Sequence, residues 1–464
     1  MNPIPVPRRG HRLALTLALA AIWPVSAAHA QSATELELMR RLDLLAAEVA
    51  ELKRQIASAQ PARSSDAATA GASDVAAGSA APTAAGVAKP GAQVTAQADL
   101  PSQGYGAAVL PTGTATGPAT VLSSYGEIHY NRPSRAPQQA QADLRRFVLG
   151  LQHRIDDRTK VVGELEVEHS VSSAGDPGEV ALEQAYVEHQ LNPTWALRAG
   201  LFLMPMGLLN ENHEPTAYYG VERNFVETAI IPSTWREGGV QGVGTFENGI
   251  TLQGGVSTGF DLNKWTRTSD GSESPLGVIH QELAKAKARD LAWFGALNWR
   301  GVPGLQLGGG LFSGGASHGQ ALAPARVTLW DLHARWTPGR WDLAALYSRG
   351  SISHTAEFNA PLVGGSGTLI PKSFDGAYLQ AGYHLWRSGN YALTPFARLE
   401  RFNTASSYAD LGPGLTPSAR PSERVITLGA NFELASGVVL KADWQRFSQN
   451  RELDRSNLGL GWSF

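Results

Sequence analysis

Glu164, Glu166 and Glu168 recur at every second position, with Gly163, Leu165 and Val167 on the alternate face. That period puts three carboxylates on one side of an extended strand. Like charges so close repel unless water, cations or facing bases screen them. Arg146 and Arg198 are candidates for the facing bases, and Arg335, Arg398 and Lys441 project to the same interior side by parity. Such a set has two readings. It is either a solvated salt-bridge lattice that stiffens a wall, or a transverse field that orients solutes between acids and bases. A second charged group lies in residues 204–237: Glu211, Glu214, Glu222, Arg223, Glu227, Arg236 and Glu237, interleaved with Tyr218, Tyr219, Phe225 and Trp235. Charged side chains around a constriction select ions by sign. Five glutamates against two arginines make this segment acidic.

Residue types for covalent chemistry are present but in the wrong settings. Gly255-Val256-Ser257-Thr258-Gly259 matches G-x-S-x-G. A nucleophile elbow needs a strand–turn–helix context, and this match ends an alternating strand. His213-Glu214 lacks a second histidine at zinc-binding spacing. The chain has no cysteine, which excludes thiol catalysis, disulfides and cysteine-based metal sites. No phosphate-cradling glycine loop is found. The reading is a non-enzyme with no cofactor and no metal. The formal charge is -2, and removal of a leader carrying Arg8, Arg9 and Arg12 gives -2 - 3 = -5. A mildly acidic chain of this kind argues against nucleic acid as partner.

Four segments position these residues. Residues 1–30 read as a secretory signal peptide, with three arginines, an apolar stretch from Leu13 to Ile22 and an Ala28-His29-Ala30 cleavage site. Residues 31–58 read as a short coiled-coil helix. Its seam is Leu38, Leu42, Leu45, Val49, Leu52 and Ile56, spaced alternately by four and three. Residues 59–120 are Ala, Gly, Ser, Thr and Pro with hardly an aromatic, too little apolar surface to offset ordering. They read as a flexible linker, on the order of 45 Å in mean span.

Residues 121–464 alternate with period two. They divide into sixteen strand candidates, clearest at Leu393-Pro395-Ala397-Leu399, Ile426-Leu428-Ala430-Phe432-Leu434 and Val438-Leu440-Ala442-Trp444. Short turns such as Asn192-Pro193, Pro338-Gly339 and Ser436-Gly437 alternate with long loops, the longest being 204–237. Short turns at one end, long loops at the other and an even strand count describe an all-β, 16-stranded antiparallel transmembrane β-barrel. At that strand number the barrel is expected to enclose an aqueous channel rather than a packed interior. Fifty glycines, twelve tryptophans and only four methionines suit such a wall. The chain ends Leu458-Gly459-Leu460-Gly461-Trp462-Ser463-Phe464, apolar on one face and small or polar on the other. The terminal Phe464 reads as an assembly signal.

Tyr125-Gly126-Glu127-Ile128-His129-Tyr130-Asn131, Arg146-Phe147-Val148-Leu149-Gly150, Glu183-Gln184-Ala185-Tyr186-Val187-Glu188, Gly207-Leu208-Leu209-Asn210-Glu211-Asn212-His213-Glu214-Pro215 and Pro232-Ser233-Thr234-Trp235-Arg236-Glu237 resemble the phosphate-selective porin O and P family. The resemblance covers about residues 125–260. It implies a trimeric sixteen-stranded porin whose third loop folds into the lumen. Members of that family carry a ladder of basic residues for phosphate, which this chain does not match residue by residue. The expected function is a passive diffusion channel for small hydrophilic or ionic solutes with weak cation preference. The alternatives are a phosphate-type anion channel, or a barrel that anchors a coiled-coil tether to the cell wall. The expected setting is a Gram-negative-type outer membrane, with lipid around the barrel, the N-terminal segment in the periplasm and a homotrimeric assembly.

Overall fold

The computed structural model describes residues 119–320 and 323–464. The signal peptide, the coiled-coil seam from Leu38 to Ile56 and most of the linker lie outside the described residues. The strands are β1 Ala119–Pro133, β2 Gln141–Arg154, β3 Thr159–Glu168, β4 Glu179–Gln190, β5 Trp195–Leu203, β6 Arg236–Thr245, β7 Ile250–Ser257, β8 Ala292–Val302, β9 Leu305–Gly315, β10 Arg326–Trp336, β11 Trp341–Ile352, β12 Ser373–Tyr383, β13 Trp386–Ser388, β14 Tyr391–Ser407, β15 Glu423–Ala435, β16 Val438–Phe447 and β17 Arg455–Ser463. β12 and β13 both pair with β14 and form one stave interrupted at His384 and Leu385. The seventeen segments are therefore sixteen staves.

Each stave pairs antiparallel with its neighbour in sequence, and β1 pairs with β17 as well as β2, so the sheet closes on itself. Phe464 completes the seam: its N–H donates to Ser124 O at 2.9 Å and its carbonyl accepts from Ser124 N–H at 3.0 Å. Closure leaves no strand edge unpaired, the condition for backbone in hydrocarbon. Among the described residues no helix is long and apolar enough to cross a membrane.

Alternation assigns the two faces. Leu149, Leu165, Leu182, Leu197, Val240, Leu297, Leu332, Leu379, Leu399, Leu428 and Leu440 stand exposed on the outside, while their sequence neighbours are buried or half-buried. Trp195, Trp336, Trp341, Trp386 and Tyr391 stand exposed near the short-turn end, as an interfacial aromatic girdle requires. In those turns Gly249, Gly304, Gly339, Gly389 and Gly437 hold φ between +57° and +83°, a region costly for residues with a Cβ.

Among the register shifts of the sheet, those between β1 and β2 and between β3 and β4 break the parity that the sequence pattern assumes for the charged residues. Arg145 is the extra residue where Glu127 and Ile128 pair with Arg146 and Leu144. Glu183 is the extra residue where Glu164 and Leu165 pair with Gln184 and Leu182. A bulge re-aims a side chain; here it turns Glu183 inward, where it is fully buried.

The interior departs from the expectation of an open aqueous channel. Phe202, Phe294, Phe312, Leu329, Leu346, Phe374 and Tyr378 point inward from β5 and β8–β12 and join one apolar core. The other partners come from loops. Met204, Met206, Val226, Ile230 and Trp235 come from residues 204–235, Phe260, Leu262, Trp265, Leu276 and Ile279 from residues 258–291, and Phe358, Leu362 and Ile370 from residues 353–372. At its centre Trp235 lies 5.2 Å from Phe260 and 4.8 Å from Phe312, ring to ring. Long loops with apolar faces have folded into one side of the barrel, because burying those side chains against inward-facing aromatics removes them from water.

Candidate functional site

The site is the loop of residues 204–235 and the walls that hold it. The segment leaves β5 at Leu203 and rejoins the wall at Arg236, which together with Glu237 belongs to β6 rather than to the loop. Asn210 binds the two ends together. Its Nδ2 donates to the carbonyls of Met204 (2.7 Å) and Trp235 (2.8 Å), and its Oδ1 accepts from Trp235 N–H at 2.7 Å.

Across the lumen the loop is fastened to nearly every side. On the β1 wall the Tyr125 hydroxyl lies 2.6 Å from both His213 Nε2 and Glu183 Oε2, and Tyr218 donates to Glu127 at 2.6 Å. Glu222 accepts from Asn131 at 3.0 Å and lies 3.4 Å from His129. On the opposite side Gly207 N–H reaches Asp331 at 3.1 Å and Tyr219 donates to Asp342 at 3.0 Å. Val221 N–H donates to Asp443 at 2.6 Å and Phe225 N–H to Glu400 at 2.6 Å. Arg398, 1% exposed, donates to the carbonyls of Tyr219 and Glu222 and to Glu400. Lys441 Nζ stands 3.6 Å above the Tyr218 ring centroid, a cation–π contact in a desolvated place.

The sequence-derived charges sort into three fates. Glu227, 4% exposed, turns back into the loop and accepts from Leu208 N–H, Leu209 N–H, Asn224 and the Tyr378 hydroxyl. Glu237 is likewise internal, accepting from Trp235 Nε1 and Thr258 Oγ1. Glu211 accepts from Gln253 on β7, Arg223 donates to Ser233 and Thr234, and Glu214 is buried. Only part of the predicted acid–base field assembles. Arg146 bridges Glu166 at 3.1 Å and Glu127 at 2.9 Å. Glu164 accepts from Gln184, and Glu168 stays half-exposed. Arg198 does not face the Glu164–Glu168 row, because Glu188 on the adjoining strand takes it at 2.6 Å. Arg335 pairs with Asp342 at 2.6 Å.

Sequence reasoning missed the wall residues that receive the loop: Tyr125, Glu127, His129, Asp331, Asp342, Glu400 and Asp443. All lie at inward parity, which was the available signal. Glu183 gave none, since only the bulge turns it inward. Ser257 of the G-x-S-x-G match is buried and donates to Thr258 O at 2.8 Å. Among the described residues no group of three acidic or histidine side chains is arranged to hold a metal.

No family model matches the chain. An uncharacterized protein of Aquifex aeolicus (strain VF5) is 26% identical over 354 residues, which cover 74% of this chain and 79% of that protein. OmpF of Salmonella typhi, solved in complex with daunomycin, superposes with a TM-score of 0.52 at 10% identity, over 74% of this chain and 97% of that one. The outer membrane channel DcaP of Acinetobacter baumannii gives 0.48 at 14% identity, over 75% and 98% of the two chains. The closed sixteen-stave barrel with a loop folded inside is the porin fold. Its lipid-facing band points to the outer membrane as its place.

Proposed function

We propose that the protein is an outer-membrane diffusion channel for small hydrophilic solutes, with a narrow fixed constriction and weak cation preference. One observation carries the reading: the longest loop sits inside a closed, lipid-banded barrel, hydrogen-bonded to walls on opposite sides. A loop so placed narrows whatever passes. The apolar core, mostly toward β5–β12, leaves the polar groups around the loop, on β1, β14 and β16 as on β10 and β11, as the route for hydrophilic solutes.

Selectivity follows from the sign of the charges that line the path. Arg146, Arg198, Arg335 and Arg398 are each matched to a carboxylate, so they offer no basic ladder to phosphate. Glu168 and Glu179 form no ion pair among the described residues. Arg145, Arg223 and Lys441 form no ion pair among the described residues either, so the weak cation preference rests on the five glutamates against two arginines of residues 204–237, while the paired arginines favour the general porin reading over phosphate selectivity. A homotrimer belongs to the same proposal.

Planar-bilayer recording of purified protein tests it. Discrete conductance steps are expected, with a reversal potential in a salt gradient displaced modestly toward the cation. Absence of steps would remove the channel reading, and a chloride or phosphate preference would remove the selectivity.

A further inference from the structure

Beside the constriction lies a cavity of about 200 Å³ between the loop-side ends of β2–β4 and the return of the 204–235 loop into β6. Its two sides differ in hydrogen-bonding character. On one side Glu168 and Glu179 are direct cross-strand partners, and like charges so placed destabilise a sheet unless something lies between them. The cross-strand neighbour of Glu168 on β2 is Arg146, but its guanidinium is taken by Glu127 and Glu166. Arg145 lines the same cavity and forms no ion pair among the described residues. One positive charge against two carboxylates leaves this side with surplus acceptors.

The opposite side carries hydroxyl and guanidinium donors, with the Glu282 carboxylate beside them held by Arg236 and His280. Ser233 Oγ and Thr234 Oγ1 both accept from Arg223 Nη1, at 2.6 and 2.9 Å. A hydroxyl that accepts in this way keeps its own hydrogen to give. Arg236, 7% exposed, lines the cavity too. Its Nη2 meets Glu282 at 3.2 Å, yet its Nε has no hydrogen-bonding partner. A buried donor left unmade costs about 1–3 kcal/mol, so an acceptor that reached this N–H would recover that cost. Two hydroxyls and one guanidinium N–H form a small carboxylate cradle.

We propose that this cavity binds a small solute carrying both an ammonium and a carboxylate, of the size of a free amino acid. The ammonium lies at Glu168 and Glu179, and the carboxylate lies at Arg236, Ser233 and Thr234. Pockets for drug-sized ligands span roughly 300–1,000 Å³, so this volume admits only a few heavy atoms. A lone metal ion would satisfy the acids alone, and no metal-type cluster exists among the described residues. The inference rests on reading the lumen as a solute path and names a solute class for it.

Saturation-transfer NMR on full-length protein in detergent tests the proposal without requiring conduction. The probes are L-alanine, propionate, ethylammonium and calcium chloride. L-alanine is expected to bind more tightly than either singly charged analogue. Both Arg236→Gln and the double variant Glu168→Gln/Glu179→Gln are expected to weaken it by about tenfold, as for loss of one charge-assisted contact. Ser233→Ala/Thr234→Ala, on the other side of the same cavity from the β3–β4 pair, gives a second readout of the carboxylate side, and heat-modifiable gel mobility reports whether each variant is folded. Alanine binding no tighter than propionate or ethylammonium overturns the inference. So does insensitivity of alanine binding to both sets of substitutions, or calcium displacing alanine from the carboxylates alone. Conductance without alanine binding removes only this inference, whereas alanine binding without conductance removes the channel and keeps the site.

Discussion

Glu227 illustrates what a single residue does here. Four donors converge on its carboxylate: Leu208 N–H at 2.6 Å, Leu209 N–H at 2.7 Å, Asn224 Nδ2 at 2.8 Å and the Tyr378 hydroxyl at 2.9 Å. Gly207 lies against it with φ +70°, where a Cβ would run into the carboxylate. Glu227→Ala strands all four donors in a buried place, and the expected loss is about 3 kcal/mol of stability. Tyr378→Phe removes one donor and leaves the others made, so about 1 kcal/mol is expected. Denaturant midpoints of the detergent-solubilised barrel check the order of the two. The sequence marked Glu227 as a charge of this loop and could say no more. Whether a loop glutamate faces a pore or its own backbone depends on loop φ and ψ angles, which no period encodes. Arg398 and Lys441 were legible as inward because strands have a period. Their partners, the Tyr219 and Glu222 carbonyls and the Tyr218 ring, were not.

At the scale of elements, the staves were readable and the loops were not. Alternation and turn residues gave sixteen staves, their order and the sorting of long loops to one end, because lipid on one face and polar groups on the other force a period of two. The reading failed locally at the β3–β4 bulge, where one extra residue turns Glu183 inward. Residues 258–291 and 353–372 read only as long loops, since Phe260, Trp265, Leu276 and Phe358 follow neither period. One contact of the 258–291 loop makes a pH prediction. Burial works to raise the Glu282 carboxyl, but His280 hydrogen-bonds it at 3.1 Å and Arg236 lies at 3.2 Å, and together they bring it below its ordinary 4.5. A carboxyl lowered in the folded state contributes stability above its unfolded value and loses it as pH falls through the folded one. The loop is therefore expected to stay fastened at pH 5 and loosen in the window below 4.5. Amide hydrogen exchange across residues 277–290, corrected for intrinsic pH dependence, should rise there. Glu282→Gln should show the faster exchange already at pH 6. Equal protection at both pH values would place the fastening elsewhere.

For the whole molecule, the described barrel is two environments inside one wall. Most of the packed apolar core lies toward β5–β12 and is supplied by three loops, while the hydrogen-bonded lattice on the 204–235 loop reaches β1, β14 and β16 and also Asp331 and Asp342 on β10 and β11. A porin whose loop were held only by polar contacts would have a wall stability nearly independent of its constriction. Here the two are joined, because Trp235 belongs both to the base of the 204–235 loop and to the core centre with Phe260 and Phe312. Trp235→Ala is expected to cost about 3–5 kcal/mol through the cavity it leaves. It is also expected to raise unitary conductance, since the loop loses its apolar seat. Tyr219→Phe removes only one polar tie, to Asp342, and should change conductance with little effect on the unfolding midpoint. Recording both variants in planar bilayers, alongside their unfolding in detergent, separates the two designs. If Trp235→Ala lowers the midpoint while conductance stays at the unmodified value, the polar ties alone hold the constriction and the core serves only the wall.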